Sequence, residues 1–309
     1  FKPLHAPFPP TPPARRSWCI DGNLGVGLDF SINHQFGQVD AAGETMVLSG
    51  KLGNELVVAV RPKGFIVDAD GTYAVMMTGA NDAGQLRVWS GTMVFSLGCI
   101  AEGSAFIGEL GEEPFFIADD KACFAASSED GVGAAGLVTL DAQIETSAGA
   151  TTKLQLRGAI GSLGDVMLFD RESGESVKPG MLVLVRLDDS AGSLFAGTSR
   201  WIYAAQERHG AGPGAYRGFP GGLFFQGTTL MNGTFGSTVV YGDNIAFDDY
   251  GRFVVSLRAT EDVRTYSGYI APTRGFGFFY QVDPPDDWLT VLEVTEQPSL
   301  PVSYGIMIR

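Results

Sequence analysis

Histidine, cysteine and helical periodicity are what this 309-residue chain has least of. Its three histidines, His5, His34 and His209, stand far apart, and no Cys-x-x-Cys occurs. A zinc site would need the fold alone to gather its nitrogen and sulfur ligands, so the sequence points to no metal. Gly-x-Ser-x-Gly is missing, and so few histidines leave little to serve as the base of a nucleophilic triad. A phosphate-binding Gly-Lys-Ser/Thr is missing as well. No stretch longer than ten residues carries a convincing helical period, and no apolar run reaches transmembrane length. The sequence therefore names no catalytic residue and no cofactor.

Positive charge is scarce too. Lys and Arg number 21 against 35 Asp and Glu, a net charge of −14, and the densest basic pair is Arg15-Arg16. Such a surface repels phosphate backbones and anionic lipid, which disfavours nucleic-acid and membrane-surface partners. Cys19, Cys99 and Cys123 are odd in number. Cys99 and Cys123 flank a strand-turn-strand stretch, so a disulfide between them and three free buried thiols are both open readings. The chain opens on Phe1 rather than Met, which fits either removal of a leader or a trimmed boundary.

What is present is glycine, phenylalanine and alternation. The 42 glycines suit tight turns and bulges, and the 21 phenylalanines suit pleated, half-buried surfaces. Val26, Leu28, Phe30 and Ile32 alternate strictly with small or polar residues, as do Tyr73, Val75 and Met77. Leu56 to Val60 is nearly all apolar, as a strand covered on both faces would be. Turn signals such as Asp68-Ala69-Asp70-Gly71 and Asp248-Asp249-Tyr250-Gly251 recur every eight to fifteen residues. The acidic turns could offer oxygen ligands to calcium. Asp and Gly also make turns unaided, and that reading is favoured because no twelve-residue calcium loop is present.

A Gly-x-x-Gly pattern follows a short alternating segment three times: Gly50 to Gly53, Gly158 to Gly161 and Gly233 to Gly236. Each copy is followed by an ordered string of features closing on a Gly-initiated segment: Ser90-Gly91-Thr92, Ala196-Gly197-Thr198 and Ser267-Gly268-Tyr269. The copies start at residues 50, 158 and 233, too unevenly for a solenoid. They lack the third glycine and the following helix of a dinucleotide cradle. The expected fold is all-β: two or three antiparallel β-sandwich or β-barrel units related by weak internal repetition. The expected organisation is an extended Pro-rich arm at 1–21 and β units at 22–135, 136–221 and 222–309.

The richest local chemistry lies in a Gly-rich aromatic region. Trp201, Tyr203, His209, Tyr216 and Arg217 are the candidate ligand-binding residues. The competing reading is that aromatics there, Phe219, Phe224 and Phe225 above all, fill a core. Gly275-Phe276-Gly277-Phe278-Phe279-Tyr280 is a second such stretch, and Asn232-Gly233-Thr234 is a glycosylation sequon. The leading expectation is a non-enzymatic structural or recognition component of an extracellular or virion-type assembly. Its partners would be other protein subunits, engaged through the N-terminal arm and edge strands. The alternative is a calycin-like barrel that binds or converts a small apolar molecule, with Tyr216, Tyr241 or Asp248 as its catalytic group.

Overall fold

The computed structural model describes residues 19–20, 34–39, 44–50, 56–80, 86–102, 104–107, 115–117, 122–126, 136–146, 151–172, 180–187, 197–208, 216–235, 238–248, 250–259, 262–282 and 303–309. The chain is all-β, and its strands form three antiparallel sheets. The Pro-rich arm lies outside the described residues up to Cys19.

The first sheet is small. It contains β1 (Cys19–Ile20), β2 (His34–Val39), β3 (Thr45–Gly50) and β4 (Leu56–Val60), in the order β1-β4-β3-β2. The second is built from β5 (Gly71–Ala80), β6 (Leu86–Ser96), β7 (Cys99–Ile100), β8 (Ala105–Ile107), β9 (Phe115–Ile117), β10 (Ala125–Ala126), β11 (Leu137–Thr146), β12 (Thr151–Ile160), β13 (Val166–Glu172) and β14 (Gly180–Arg186). Because β11 pairs with β9 as well as with β12, the ring β11-β12-β13-β14-β5-β6-β8-β9 closes into a barrel. The third sheet contains β15 (Thr198–Arg208), β16 (Tyr216–Gln226), β17 (Thr229–Phe235), β18 (Thr238–Asn244), β19 (Arg252–Ala259), β20 (Asp262–Ala271), β21 (Phe276–Val282) and β22 (Ser303–Ile308). Its order is β18-β17-β16-β15-β22-β21-β20-β19, a second and nearly closed barrel.

Hydrogen-bonded sheets group the chain differently from the three sequence units. Strands on both sides of 135/136 share the first barrel, and strands on both sides of 221/222 share the second. The physical reason is closure. A unit ending at residue 135 would leave β5 and β14 each with an unpaired edge, whereas β14 pairs β5 from Leu182↔Met77 to Arg186↔Tyr73. The Gly-x-x-Gly copies nonetheless open one in each sheet, at the ends of β3, β12 and β17. Gly158 has a steric role: a Cβ there would sit 2.0 Å from the Leu168 carbonyl oxygen.

Strand periodicity sorts the apolar residues into three cores. Tyr73, Val75 and Met77 of β5 join Leu182 and Leu184 of β14 and Phe169 of β13 inside the first barrel. Trp201, Tyr203, Phe225, Phe235, Phe253, Tyr266 and Phe279 fill the second. The alternate residues of the same strands form the third core between the sheets. It brings Ala74, Met76, Val183 and Val185 of the first barrel against Tyr269, Phe278, Tyr304 and Ile306 of the second, and includes Val47, Val58 and Val60 of the small sheet. This is why β14 and β22 read as nearly unbroken apolar runs: both of their faces are buried. Each large side chain buried this way contributes about 1.5–3 kcal/mol, so the two barrels are held together by a core and not by a linker alone.

Candidate functional site

Three turns meet at one end of the first barrel. The first is a 3-10 turn, Ile66–Ala69, closed at its start by Asp68, whose Oδ2 accepts the Phe65 N–H at 2.7 Å. The second is a 3-10 turn at Ser162–Gly164, packed against the first; a Cβ on Gly164 would overlap the Asp68 carbonyl oxygen. The third is the two-residue hairpin Leu97-Gly98 between the paired residues Ser96 and Cys99. Asp70 Oδ1 accepts its Gly98 N–H at 2.8 Å, and Gly98 has room for no Cβ because Ile66 lies against it. Acidic turn residues here are thus engaged by backbone N–H groups, as Asp248 is by those of Tyr250 and Arg252. Among the described residues no group of three or more His, Cys, Asp or Glu could hold a metal ion.

These turns display a crown of large apolar side chains. Phe65 is 63% exposed, Val67 73%, Leu97 86% and Leu163 70%. Leu97 and Leu163 have left-handed φ of 54° and 57°, the two non-glycine residues that do so among the described residues. In that region Cβ crowds the following carbonyl, at a cost of about 1–2 kcal/mol. Both leucines precede a glycine that also has positive φ, Gly98 at 72° and Gly164 at 67°. At the hairpin this pair of left-handed residues is the geometry that ordinarily selects Asn-Gly. Leucine occupies the position against backbone preference, and its side chain gains no burial in return.

Beneath the crown lies a polar brace. Arg186, at the end of β14, donates Nη2 to the Tyr73 hydroxyl at 2.9 Å, to the Leu163 carbonyl at 3.2 Å and to the Asp68 carbonyl. One guanidinium therefore ties both 3-10 turns to the barrel wall. The buried Tyr73 hydroxyl donates to the Gly164 carbonyl at 2.9 Å. Burial pushes its pKa up to about 12, while the neighbouring Arg186 charge and hydrogen bond pull the other way. The brace continues into the second barrel. Asp165 pairs with Arg274 in the β20–β21 turn, and the Tyr269 hydroxyl donates to the Arg186 carbonyl at 2.9 Å. Cys99, next to the hairpin, is bonded to Cys123.

Those residues singled out from sequence that the structure describes fall elsewhere. Trp201 and Tyr203 of β15 point into the filled interior of the second barrel. The Tyr203 ring lies where a Cβ on Gly221 would be, and its hydroxyl shares a 2.6 Å hydrogen bond with Thr234. Tyr216 and Arg217 begin β16, opposite Arg208 and Glu207; their side chains, and His209, lie outside the described residues. Of the three groups weighed as catalytic, Tyr241 is exposed on β18 and Asp248 caps its turn. The crown was not found from sequence, yet a signal exists: Ser-Leu-Gly occurs at 96–98 and again at 162–164.

No family model matches this sequence, and no curated protein matches it. Among solved structures it is similar to a double mutant of the vaccine antigen transferrin binding protein B from Haemophilus parasuis, at 11% identity and a TM-score of 0.34. That match covers 94% of this chain and 56% of the other, so the chain spans little more than half of that protein's length.

Proposed function

We propose that this is a non-enzymatic recognition protein of an extracellular setting, which binds a partner protein through the crown at the end of its first barrel. One observation carries the reading: four large apolar side chains stand exposed on three adjoining turns, two of them on strained backbone. Exposed apolar clusters of this kind mark interaction sites, and strain that the fold does not need is found where function does. The Arg186 brace holds the turns in place, so little ordering entropy would oppose docking. The Cys99–Cys123 bond supports an oxidising compartment. The net charge of −14 favours a protein partner over an anionic membrane. No helix among the described residues is long and apolar enough to cross a membrane.

The filled barrels weigh against the calycin-like alternative, because the ring positions that would line a ligand chamber are occupied by packed side chains. The narrower expectation, a subunit of a virion-type assembly joined through the N-terminal arm, is separated by solution mass: a building block multimerises at micromolar concentration and loses that state when residues 1–17 are removed. The recognition reading is tested with a photo-crosslinking amino acid at position 97 or 163 in the full chain, with position 254 of the second barrel as reference. Discrete protein adducts at 97 and 163, suppressed by Phe65→Ser with Val67→Ser, are expected. Equal labelling at all three positions would remove the crown from consideration.

A further inference from the structure

The two barrels also border a cleft of about 630 Å³, lined by none of the residues of the crown's three turns. One wall is β6, where Ser90 and Thr92 face out of the first barrel on either side of the Gly91 backbone. The other is Ser267, Gly268 and Tyr269 of β20, with Phe278 and Tyr280 of β21. The two Ser-Gly segments are those that close the first and third copies of the sequence repeat. Their small side chains leave open space that larger ones would fill, and the volume lies within the usual range for small-ligand sites, about 300–1,000 Å³.

Arg252, at the start of β19, is half-buried in this cleft and reaches across it. Its Nη2 donates to Thr92 Oγ1 at 2.7 Å. Among the described residues no carboxylate lies within ion-pairing distance of its guanidinium. Asp248 lines the same cleft, but its Oδ1 accepts the backbone N–H groups of Tyr250 and Arg252. A guanidinium has five N–H donors, and one neutral hydroxyl leaves most of them for another acceptor. Close by, the Ser90 and Tyr280 hydroxyls share one hydrogen bond of 2.5 Å. Two hydroxyls carry two protons and that bond uses one, so the second can be donated into the cleft. A cation with no carboxylate partner among the described residues and a spare hydroxyl, beside the partly exposed rings of Phe247 and Tyr280, form a receptor for an oxyanion on an apolar body.

We propose that the inter-barrel cleft binds a small amphipathic anion, with its carboxylate or phosphate on Arg252 and its apolar body against the partly exposed rings of Phe247 and Tyr280. This site is independent of the crown, and neither reading depends on the other. The test is calorimetric titration of the full chain with 2-naphthoate, 2-naphthyl phosphate and the neutral 2-naphthamide. At least one anion should bind tenfold or more tightly than the amide, and the preferred anion identifies the headgroup class. Arg252→Gln should erase that preference and leave amide binding unchanged. Thr92→Val, which keeps the charge and removes only the cross-barrel hydrogen bond, should retain the preference. Ala246→Trp, at the exposed rim, should weaken all three probes. Equal binding of anions and amide, a preference that survives Arg252→Gln, or no binding of any probe would each overturn the proposal.

Discussion

In the first barrel, β9 hydrogen-bonds to β11 and the ladder runs all the way round. In the second, no ladder joins the edge strands β18 and β19; a single bridge pairs Phe247, in the connection after β18, with Phe253 of β19. The interiors differ to match. Aliphatic and methionine side chains dominate the first. The second is a web of rings: Phe279 lies 5.0 Å from Tyr203 and 5.1 Å from Phe235, both edge-on, and Phe235 stacks on Tyr266 at 5.2 Å. The Tyr266 hydroxyl then donates to the Phe235 carbonyl at 3.1 Å. A barrel short of one run of ladder bonds can thus be held in shape by aromatic packing across its axis. That comparison predicts where each barrel is weakest.

The largest effect should come from the ring web. Phe279→Ala removes the ring that touches three others and should lower stability by about 3–5 kcal/mol, read by equilibrium denaturation. A loss below about 1 kcal/mol would mean that the second barrel is not held by its rings. The matching change in the first barrel is covalent. Cys99 and Cys123 are separated by 24 residues, and closing such a loop restricts the unfolded chain by about 3 kcal/mol. Replacing both by serine should cost that much. Hydrogen exchange should quicken first at β7 and the strands beside it and leave β15 to β22 protected. Uniform loss of protection would show instead that the barrels unfold as one body through their shared core.

Tyr73 sharpens the comparison further, because its proton belongs to the first barrel alone. Its pKa is raised to about 12, so between pH 10 and about 12 the folded chain keeps a proton that the unfolded chain has lost. Stability should therefore be unaffected below pH 10 and fall as pH rises through that window, by about 2–3 kcal/mol in all. Tyr73→Phe should be less stable at neutral pH by about 1–2 kcal/mol, having lost its bonds to Gly164 and Arg186, but flatter between pH 10 and 12. The same slope in both proteins would assign the alkaline loss to other groups.

Much of this architecture was legible in the sequence. Alternation along Tyr73, Val75 and Met77 marked a strand, and the apolar run Leu56 to Val60 marked one buried on both sides, as the neighbours Val58 and Ala59, on opposite faces, are. Sheet membership was not legible. Copies of a local pattern say where strands end, whereas closure is decided by pairings such as β14 with β5, over a hundred residues apart. The crown was missed for a different reason. Leu97 and Leu163 drew no reading of their own, since nothing in composition says that a leucine sits at left-handed φ facing solvent. The cleft was half visible: its Ser-Gly walls were seen as repeats and interpreted as architecture.

The smallest expected effect bears most directly on function. Among the described residues, turns of the second barrel place glycine where φ is positive, at Gly227, Gly251 and Gly275, whereas the crown of the first places leucine at two such positions. If Leu163 served the fold, replacing it would be costly. If it serves recognition, Leu163→Gly should be nearly neutral or slightly stabilising. Relief of left-handed strain returns about 1–2 kcal/mol, and the greater freedom of glycine in the unfolded chain takes back about 0.5–1. Leu163→Asn, which also tolerates left-handed φ, should behave alike without that entropic loss. Both variants should keep the melting temperature of the parent or exceed it, while crosslinking from position 97 falls. A drop in stability beyond about 1 kcal/mol in both would mean that the leucine side chain packs for the fold after all. The crown would then be part of the barrel's lid, and the difference between leucine turns and glycine turns would be one of packing rather than of partner binding.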